Sequence, residues 1–427
     1  MDDFSDIETH APGVSRRSFL RQSTAAVGGG VAAAAGLSGV AQAQDQSNLP
    51  PNVPNWMKAP GFDTAHNPYG LPSPFEKEVV RKVLGTPKTM IAASSRTPLQ
   101  ELNGIITPNG LHYERHHAGI PEIDPAQHRL MVFGLVDKPL IFTMDDLRRF
   151  PSVSKIHFLE CSGNQSFSSK GRDTAQDVMG LVSCAEWTGV PMKTILEECG
   201  VQSAAKWVVA EGADADALTR SIPIEKCMDD VILAYAQNGE RIRPEQGYPL
   251  RVFNPGYEGN MSVKWVRSLQ VREEPIYSRE ETSKYTDLLP GGKAREFSFV
   301  MEGKSVITYP SGGQRMNGPG FYEIAGIAWS GAGKITRVEV STDNGATWRD
   351  ADLQDPVMHI CLTRFRLGWV WDGKATTILS RSTDETGYVQ PTIEKLIAVR
   401  GKYSTYHNHA IQPWAIADSG EVTNALA

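Results

Sequence analysis

Cys161 closes the run Val153 to Glu160 and opens the small-residue sequence Cys161-Ser162-Gly163-Asn164. A strand that ends in such a loop holds one thiol out toward a bound group, and a single thiolate suits a soft, high-valent metal carried in a cofactor. A zinc site needs three or four protein ligands at recognisable spacing, which this stretch lacks. The competing role is that of a buried small hydrophobe, the usual fate of a free cysteine and the one expected for Cys184, Cys199 and Cys227 in their apolar surroundings. The five cysteines are odd in number and widely spaced, so no disulfide framework is expected.

Three further constellations carry chemistry. His112-Tyr113-Glu114-Arg115-His116-His117 lies between Pro108 and Pro121, where prolines and glycines argue against the helix that a two-histidine zinc site would want. A loop that hydrogen-bonds an anionic cofactor is the better reading, with an ordinary surface loop as its competitor. Gln246-Gly247-Tyr248-Pro249-Leu250-Arg251 and Ser262-Val263-Lys264-Trp265 set Arg251 and Lys264 beside glycine-rich turns. Turn amides with fixed cations make a phosphate cradle, whereas isolated cations on strands are usually solvated. Arg364 and Arg366, in Arg364-Phe365-Arg366-Leu367-Gly368-Trp369-Val370-Trp371, either reach toward a neighbouring domain's pocket or stay exposed over buried aromatics.

The elements that must position these groups follow from punctuation and periodicity. Ser15-Arg16-Arg17-Ser18-Phe19-Leu20, the weakly apolar Ala25 to Val40 and Ala41-Gln42-Ala43 read as a twin-arginine leader over residues 1–43, removed after Ala43. Such a leader implies export to the periplasm in the folded state, and therefore a cofactor inserted first. It falls short of the ~20 apolar residues of a membrane span. A proline-rich extended arm follows over residues 44–95, with one short helix near Pro74 to Leu84. Residues 96–277 alternate strands and helices as a mixed α+β domain, with Thr143 capping a helix to Phe150, Gly200 stopping another from Pro191, and Asn238-Gly239 marking a turn. Residues 278–295 form a polar linker. Residues 296–427 show short alternating strands, among them Lys395 to Arg400, and an Asp343-Asn344-Gly345 turn, the pattern of an immunoglobulin-like sandwich. A net charge of -6 offers no electrostatic footprint for nucleic acid.

Taken in order, Tyr113 to His117, Cys161, Trp187-Thr188-Gly189-Val190-Pro191, Gly247 to Arg251 and Val263-Lys264-Trp265 resemble the sulfite oxidase family of molybdopterin enzymes. The resemblance runs from about Arg96 to the C-terminus. It implies a molybdenum-molybdopterin cofactor with Cys161 as the metal's thiolate. It further implies Tyr113, Glu114, Arg115, His116 and His117, with Asp214, Gln246, Arg251 and Ser262 to Lys264, around the pterin and its phosphate. Asp214 and Asp216 both remain candidates at the pterin. The resemblance makes Arg115 and Tyr285 catalytic, with Arg364 or Arg366 closing the pocket, and implies dimerisation through the second domain.

The departures narrow the substrate. Gln165-Ser166 stands where animal sulfite oxidases carry a substrate-binding arginine, and Gln246 where they carry a histidine. Loss of a guanidinium weakens capture of a small dianion. With the leader and the closing Tyr406-His407-Asn408-His409 sequence, the pattern is similar to the sulfane dehydrogenase branch of the family. That branch acts on sulfane sulfur carried on a protein partner. A periplasmic sulfite dehydrogenase is the alternative, and an exported cofactor-free immunoglobulin-like binding protein a remote one. The chain has no Cys-x-x-Cys-His haem site, so electrons are expected to pass to a c-type cytochrome subunit, with the arm as a candidate contact.

Overall fold

The computed structural model describes residues 50–63, 65–84, 90–165, 171–402 and 404–426. The twin-arginine segment, its cleavage site and Ser166 lie outside the described residues. Among the described residues, those up to Leu71 belong to one compact unit and those from Pro72 onward to another. In the first, Asn55–Met57 makes a single 3-10 turn, and Trp56, Met57, Phe62 and Tyr69 are exposed.

The second unit opens differently from the expected arm. Only Pro74–Glu76 is helical, as one 3-10 turn, and Lys82–Leu84 then pairs with Ser94–Arg96, which pairs in turn with Glu114–Arg115. The histidine-rich loop is thus anchored by a three-stranded sheet rather than left free. Pro74 starts the turn well, but the lysine-valine-leucine run of Lys82–Leu84 has a strand edge to meet and takes it.

Two five-stranded sheets build the α+β domain. In one, the antiparallel pair Val153–Glu160 and Val182–Pro191 continues into Ile232–Gln237, which turns through Asn238 (φ 47°) and Gly239 (φ 80°) to Glu240–Arg241. Both turn residues are left-handed, as a two-residue hairpin demands. Arg251–Phe253 also pairs with Ile232–Gln237. In the other sheet, Leu130–Gly134 lies parallel to Val266–Arg272, and Trp207–Gly212 flanks the latter antiparallel. Met144–Arg149 begins with a full capping box between Thr143 and Asp146, and Met192–Cys199 stops at left-handed Gly200 (φ 72°).

Residues beyond the linker form two sheets of four and five strands whose inner faces share one core, with Ile324, Ile327 and Phe365 from one and Val338, Val340 and Ile378 from the other. Asn344 (φ 60°) and Gly345 (φ 87°) form the expected tight turn. Lys395 to Arg400 is a helix, Ile393–Arg400, and not a strand. Thr392 accepts a hydrogen bond from the Lys395 amide, and this cap outweighs the local alternation.

The same apolar cluster crosses between the domains, joining Leu99, Phe158, Val182 and Cys184 to Met301, Val306 and Trp329. Cys184 and Cys361 meet there with sulfurs 3.4 Å apart, both as free thiols. Backbone contact is as close: the Met301 amide donates to the Gly256 carbonyl (3.0 Å) and the Gly331 amide to the Met301 carbonyl (2.7 Å). A side-chain carbon at Gly331 would overlap the Gly256 carbonyl oxygen. Gly331→Ala is therefore expected to destabilise the protein by about 1–3 kcal/mol, read as a lower urea midpoint with an unchanged slope.

Candidate functional site

Strand ends and tight turns from both sheets of the first domain converge on one cleft with about 680 Å³ of empty space. Cys161 enters it from the end of Val153–Glu160, its amide donating to the Leu181 carbonyl (3.0 Å) and its carbonyl accepting from the Asn164 amide (2.8 Å). Arg115 comes from the sheet-anchored loop, Asp214 from the turn after Trp207–Gly212, and Arg251 from the first position of its strand. Lys264 precedes Trp265, which is held left-handed (φ 52°) with its indole N–H donating to the Pro244 carbonyl (3.0 Å). Tyr285, also left-handed (φ 53°), lines the cleft from the linker.

The cleft is rich in cations that the protein leaves without carboxylates. Arg251 donates to the carbonyls of Gln246 and Ser262, both at 2.9 Å, and lies 5.0 Å over the Trp187 ring. Lys264 spends its three protons on the Arg115 and Glu245 carbonyls (3.2 and 3.1 Å) and on His116 Nδ1 (2.9 Å). Among the described residues no acid stands within ion-pair distance of Arg115, Arg251 or Lys264. Burial, with Arg251 beside it, drops Lys264 to about 7, and burial drops Arg251 to about 10. Glu114 cannot compensate, because Arg81 and the His116 Nε2–H (2.7 Å) already engage it. An anionic ligand would restore the balance.

Other groups add direction. Asp214 Oδ1 is buried without a hydrogen-bond partner, and burial followed by Asp216 pushes its carboxyl up. Asp216 instead turns to Arg279 (2.6 Å), so Asp214 is the one of the two that lines the cleft. Burial, then Arg115, lowers His117 to about 4, leaving a neutral ring, while burial pushes the Tyr285 phenol up. The phenol therefore keeps its proton, and its oxygen lies in hydrogen-bond contact with His117 Nε2 (3.0 Å). Burial also raises the Cys161 thiol, with the Gly163 amide and Arg115 opposing.

A second network lies under the cysteine loop. Glu160 accepts from Lys304 Nζ (2.7 Å), Trp329 Nε1 (2.8 Å) and Asn164 Nδ2 (2.9 Å). The C-terminal segment folds back on the same loop: the His407 amide donates to the Ser162 carbonyl (2.8 Å), and Gln165 Nε2 to the Ala410 carbonyl (2.9 Å). His407 stands between Glu258 (3.5 Å) and Glu302 (3.1 Å), and Glu258 pairs with Arg220 (2.9 Å), whose guanidinium lies 5.4 Å from the Tyr285 ring.

The structure places Tyr113, Glu114, Arg115, His116 and His117 on this cleft together with Cys161, Asp214 and Gln246. Arg251, Ser262, Val263, Lys264 and Tyr285 line it as well. Arg364 and Arg366 do not join them. Arg364 donates to the Leu102 and Gly104 carbonyls at the domain contact, and Arg366 pairs with Glu323 and Gln354 on the outside of its sheet. Their strand, Thr363–Trp371, is paired along its whole length with Gly320–Trp329, which fixes both side chains away from the cleft. Gln165 faces the C-terminal segment, while Gln246 donates to the Tyr113 carbonyl (2.9 Å). Sequence reasoning missed Asn260 and Leu218 in the lining and the Glu160, Lys304 and His407 contacts below it. Only Asn260 had a local signal, as the neighbour of Gly259 in a glycine-rich turn.

Residues 117–280 match the model of the oxidoreductase molybdopterin binding domain, and residues 295–413 that of the Mo-co oxidoreductase dimerisation domain. The crystal structure of the sulfane dehydrogenase SoxCD from Paracoccus pantotrophus superposes with a TM-score of 0.84 at 46% identity, covering 87% of this chain and 97% of that one. The chain belongs to the sulfite oxidase family. Within that family it is 30% identical to the mitochondrial sulfite oxidase of Rattus norvegicus, over 72% of this chain and 61% of the rat protein. It is 33% identical to the NADH nitrate reductase of Solanum lycopersicum, over 71% of this chain and 38% of the plant protein. The chain thus spans less than two thirds of the length of these curated relatives.

The residues present fit the family's molybdenum-molybdopterin group. Arg251 and Lys264 are cations awaiting an anion, Asp214 Oδ1 is an acceptor awaiting a donor, and Cys161 is a partly exposed thiol facing the same space.

The network under the loop predicts a pH response. Burial alone would lower His407, but Glu258 and Glu302 outweigh it and push it up to about 9. A folded value above the unfolded ~6.5 stabilises fully below pH ~6.5 and is lost as pH rises through the folded value. The stability difference between wild type and His407→Gln is expected to shrink by on the order of 3 kcal/mol between about pH 6 and about pH 10, measured by urea unfolding.

Proposed function

We propose that this chain is the molybdenum-bearing subunit of a sulfane dehydrogenase. It oxidises sulfane sulfur carried on a protein partner and passes electrons to a c-type cytochrome subunit. The observation that carries the reading is the match to the SoxCD sulfane dehydrogenase at 46% identity over 97% of that chain. Export to the periplasm by the twin-arginine route, and a homodimer formed through residues 296–427, belong to the same proposal; the second is supported by the matched dimerisation domain.

When bound, the molybdenum-molybdopterin group supplies oxygen-atom transfer and takes up two electrons. The chain supplies position and field. Cys161 would be the protein's ligand to the metal, and Arg251 and Lys264 would set positive charge beside the group's phosphate. Arg115, with no carboxylate of its own, offers its guanidinium to negative charge that develops on the sulfur's oxygen. Tyr285 carries a proton at its phenol oxygen and is steered by His117, so it can donate to the substrate or to water.

Substrate choice follows from the missing cation. Gln165 and Ser166 supply no guanidinium, and Gln165 points to the C-terminal segment. A sulfane sulfur held on a carrier's cysteine needs less charge recognition at its reacting end than free sulfite does. Oxidation of free sulfite is the second reading, favoured by the sulfite oxidase relatives and by Arg115 in the cleft.

Molybdenum and pterin quantification, paired with assays on sulfite and on a persulfidated carrier protein, tests the reading. Turnover of the carrier at a higher kcat/KM than sulfite is expected, and the reverse order would establish the second reading. Cys161→Ser should lose at least about 10²-fold in kcat, since no thiolate remains for the metal. Tyr285→Phe should lose about 10²-fold in kcat with little change in KM, measured across pH.

A further inference from the structure

We propose that Lys304 and Trp329, both from the second domain, are positioning residues for the metal ligand: through Glu160 they fix the direction in which the Cys161 sulfur enters the cleft. The inference rests on the molybdenum reading above.

Glu160, the residue before the thiol, is completely buried, and its carboxylate is fully engaged. One oxygen accepts from Lys304 Nζ and Asn164 Nδ2, the other from Trp329 Nε1. Lys304 and Trp329 face each other in register on Lys304–Tyr309 and Gly320–Trp329, so their spacing is set by the sheet rather than by side-chain flexibility. Asn164 closes a ring: its amide nitrogen atoms reach the Glu160 carboxylate and the Cys161 carbonyl, and its Oδ1 accepts from the Leu181 amide (3.0 Å). Leu181 returns through its carbonyl to the Cys161 amide. Both backbone hydrogen-bonding groups of Cys161 are thereby held, which leaves side-chain rotation as its main freedom. Gly259 packs tightly on the preceding residue, where a side-chain carbon would come within 2.7 Å of the Glu160 carbonyl oxygen.

A purely adhesive role for Glu160 and Lys304 explains less. The apolar cluster already joins the domains, and a buried ion pair is seldom a better adhesive than packed hydrophobic side chains. What the pair adds is direction. Groups that hold a ligand's neighbours orient the ligand and tune its metal, and their loss typically costs about 10–100-fold in metal affinity or activity.

The test uses purified, cofactor-loaded protein with Lys304→Met, Lys304→Arg and Trp329→Phe, and Ile327→Ala as a control in the same sheet whose apolar side chain makes no hydrogen bond to Glu160. Molybdenum content, the Mo(V) electron paramagnetic resonance g-values, the midpoint potential and Tm are measured on each. Lys304→Met and Trp329→Phe are expected to shift the g-values and potential, with kcat falling about 10–100-fold for Lys304→Met. Lys304→Arg should recover part of the shift, and Ile327→Ala should lower Tm with wild-type spectra. Loss of molybdenum from a folded Lys304→Met protein, with Ile327→Ala fully loaded, would also support the proposal. If Lys304→Met fails to fold, Trp329→Phe decides, since it leaves the ion pair in place. Loaded Lys304→Met and Trp329→Phe proteins, or Trp329→Phe alone, with wild-type g-values and potential would overturn the inference alone. A wild-type protein free of molybdenum and pterin would overturn the functional reading and this inference with it.

Discussion

The ion pair between Glu160 and Lys304 is the constraint on which the rest of the structure depends. Both side chains are fully buried, and stripping water from two such charges costs several kcal/mol for each. Neither can be accommodated without the other, and removal of one partner from a buried pair costs roughly 3–5 kcal/mol. One partner lies on the strand that ends at the cleft and the other on the first strand of the sandwich. The two domains therefore share a register as well as an apolar core, and the cleft is built to the precision of that register.

The cleft itself obeys the opposite rule. Around Glu160 every charge is matched, whereas Arg115, Arg251 and Lys264 face the space without acids of their own. Carbonyl groups and the His116 ring solvate these cations, which keeps them ordered without neutralising them. The contrast separates a scaffold that is electrostatically complete from a site that needs a ligand to become so. It also explains the low value of Lys264, because burial beside Arg251 penalises an ammonium that has no counter-ion.

Much of this was legible in the residues because local chemistry decided it. The Thr143 capping box, the Gly200 stop and the Asn238-Gly239 turn depend on a few adjacent side chains, and each forms as the sequence predicts. The cleft lining was legible through resemblance, since the glycine-rich turns around Arg251 and Lys264 are weak signals taken singly. Ile393–Arg400 was misread because alternating apolar residues outweighed the capping threonine in front of them. Arg364 was misread because a strand's register with its partner cannot be seen in one sequence, and that register sends its guanidinium to the Leu102 and Gly104 carbonyls. Lys304 gave no signal at all: a lysine at the start of an apolar strand looks solvated until its distant partner is known.

The fold-back of His407 and Ala410 onto the cysteine loop has a consequence for the order of biosynthesis. Gln165 and Ala410 are separated by 245 positions, so the floor beneath Cys161 is missing while most of the second domain is still being translated. Translation runs toward the C-terminus, so His407 and Ala410 are the last of the partners described above for this loop to leave the ribosome.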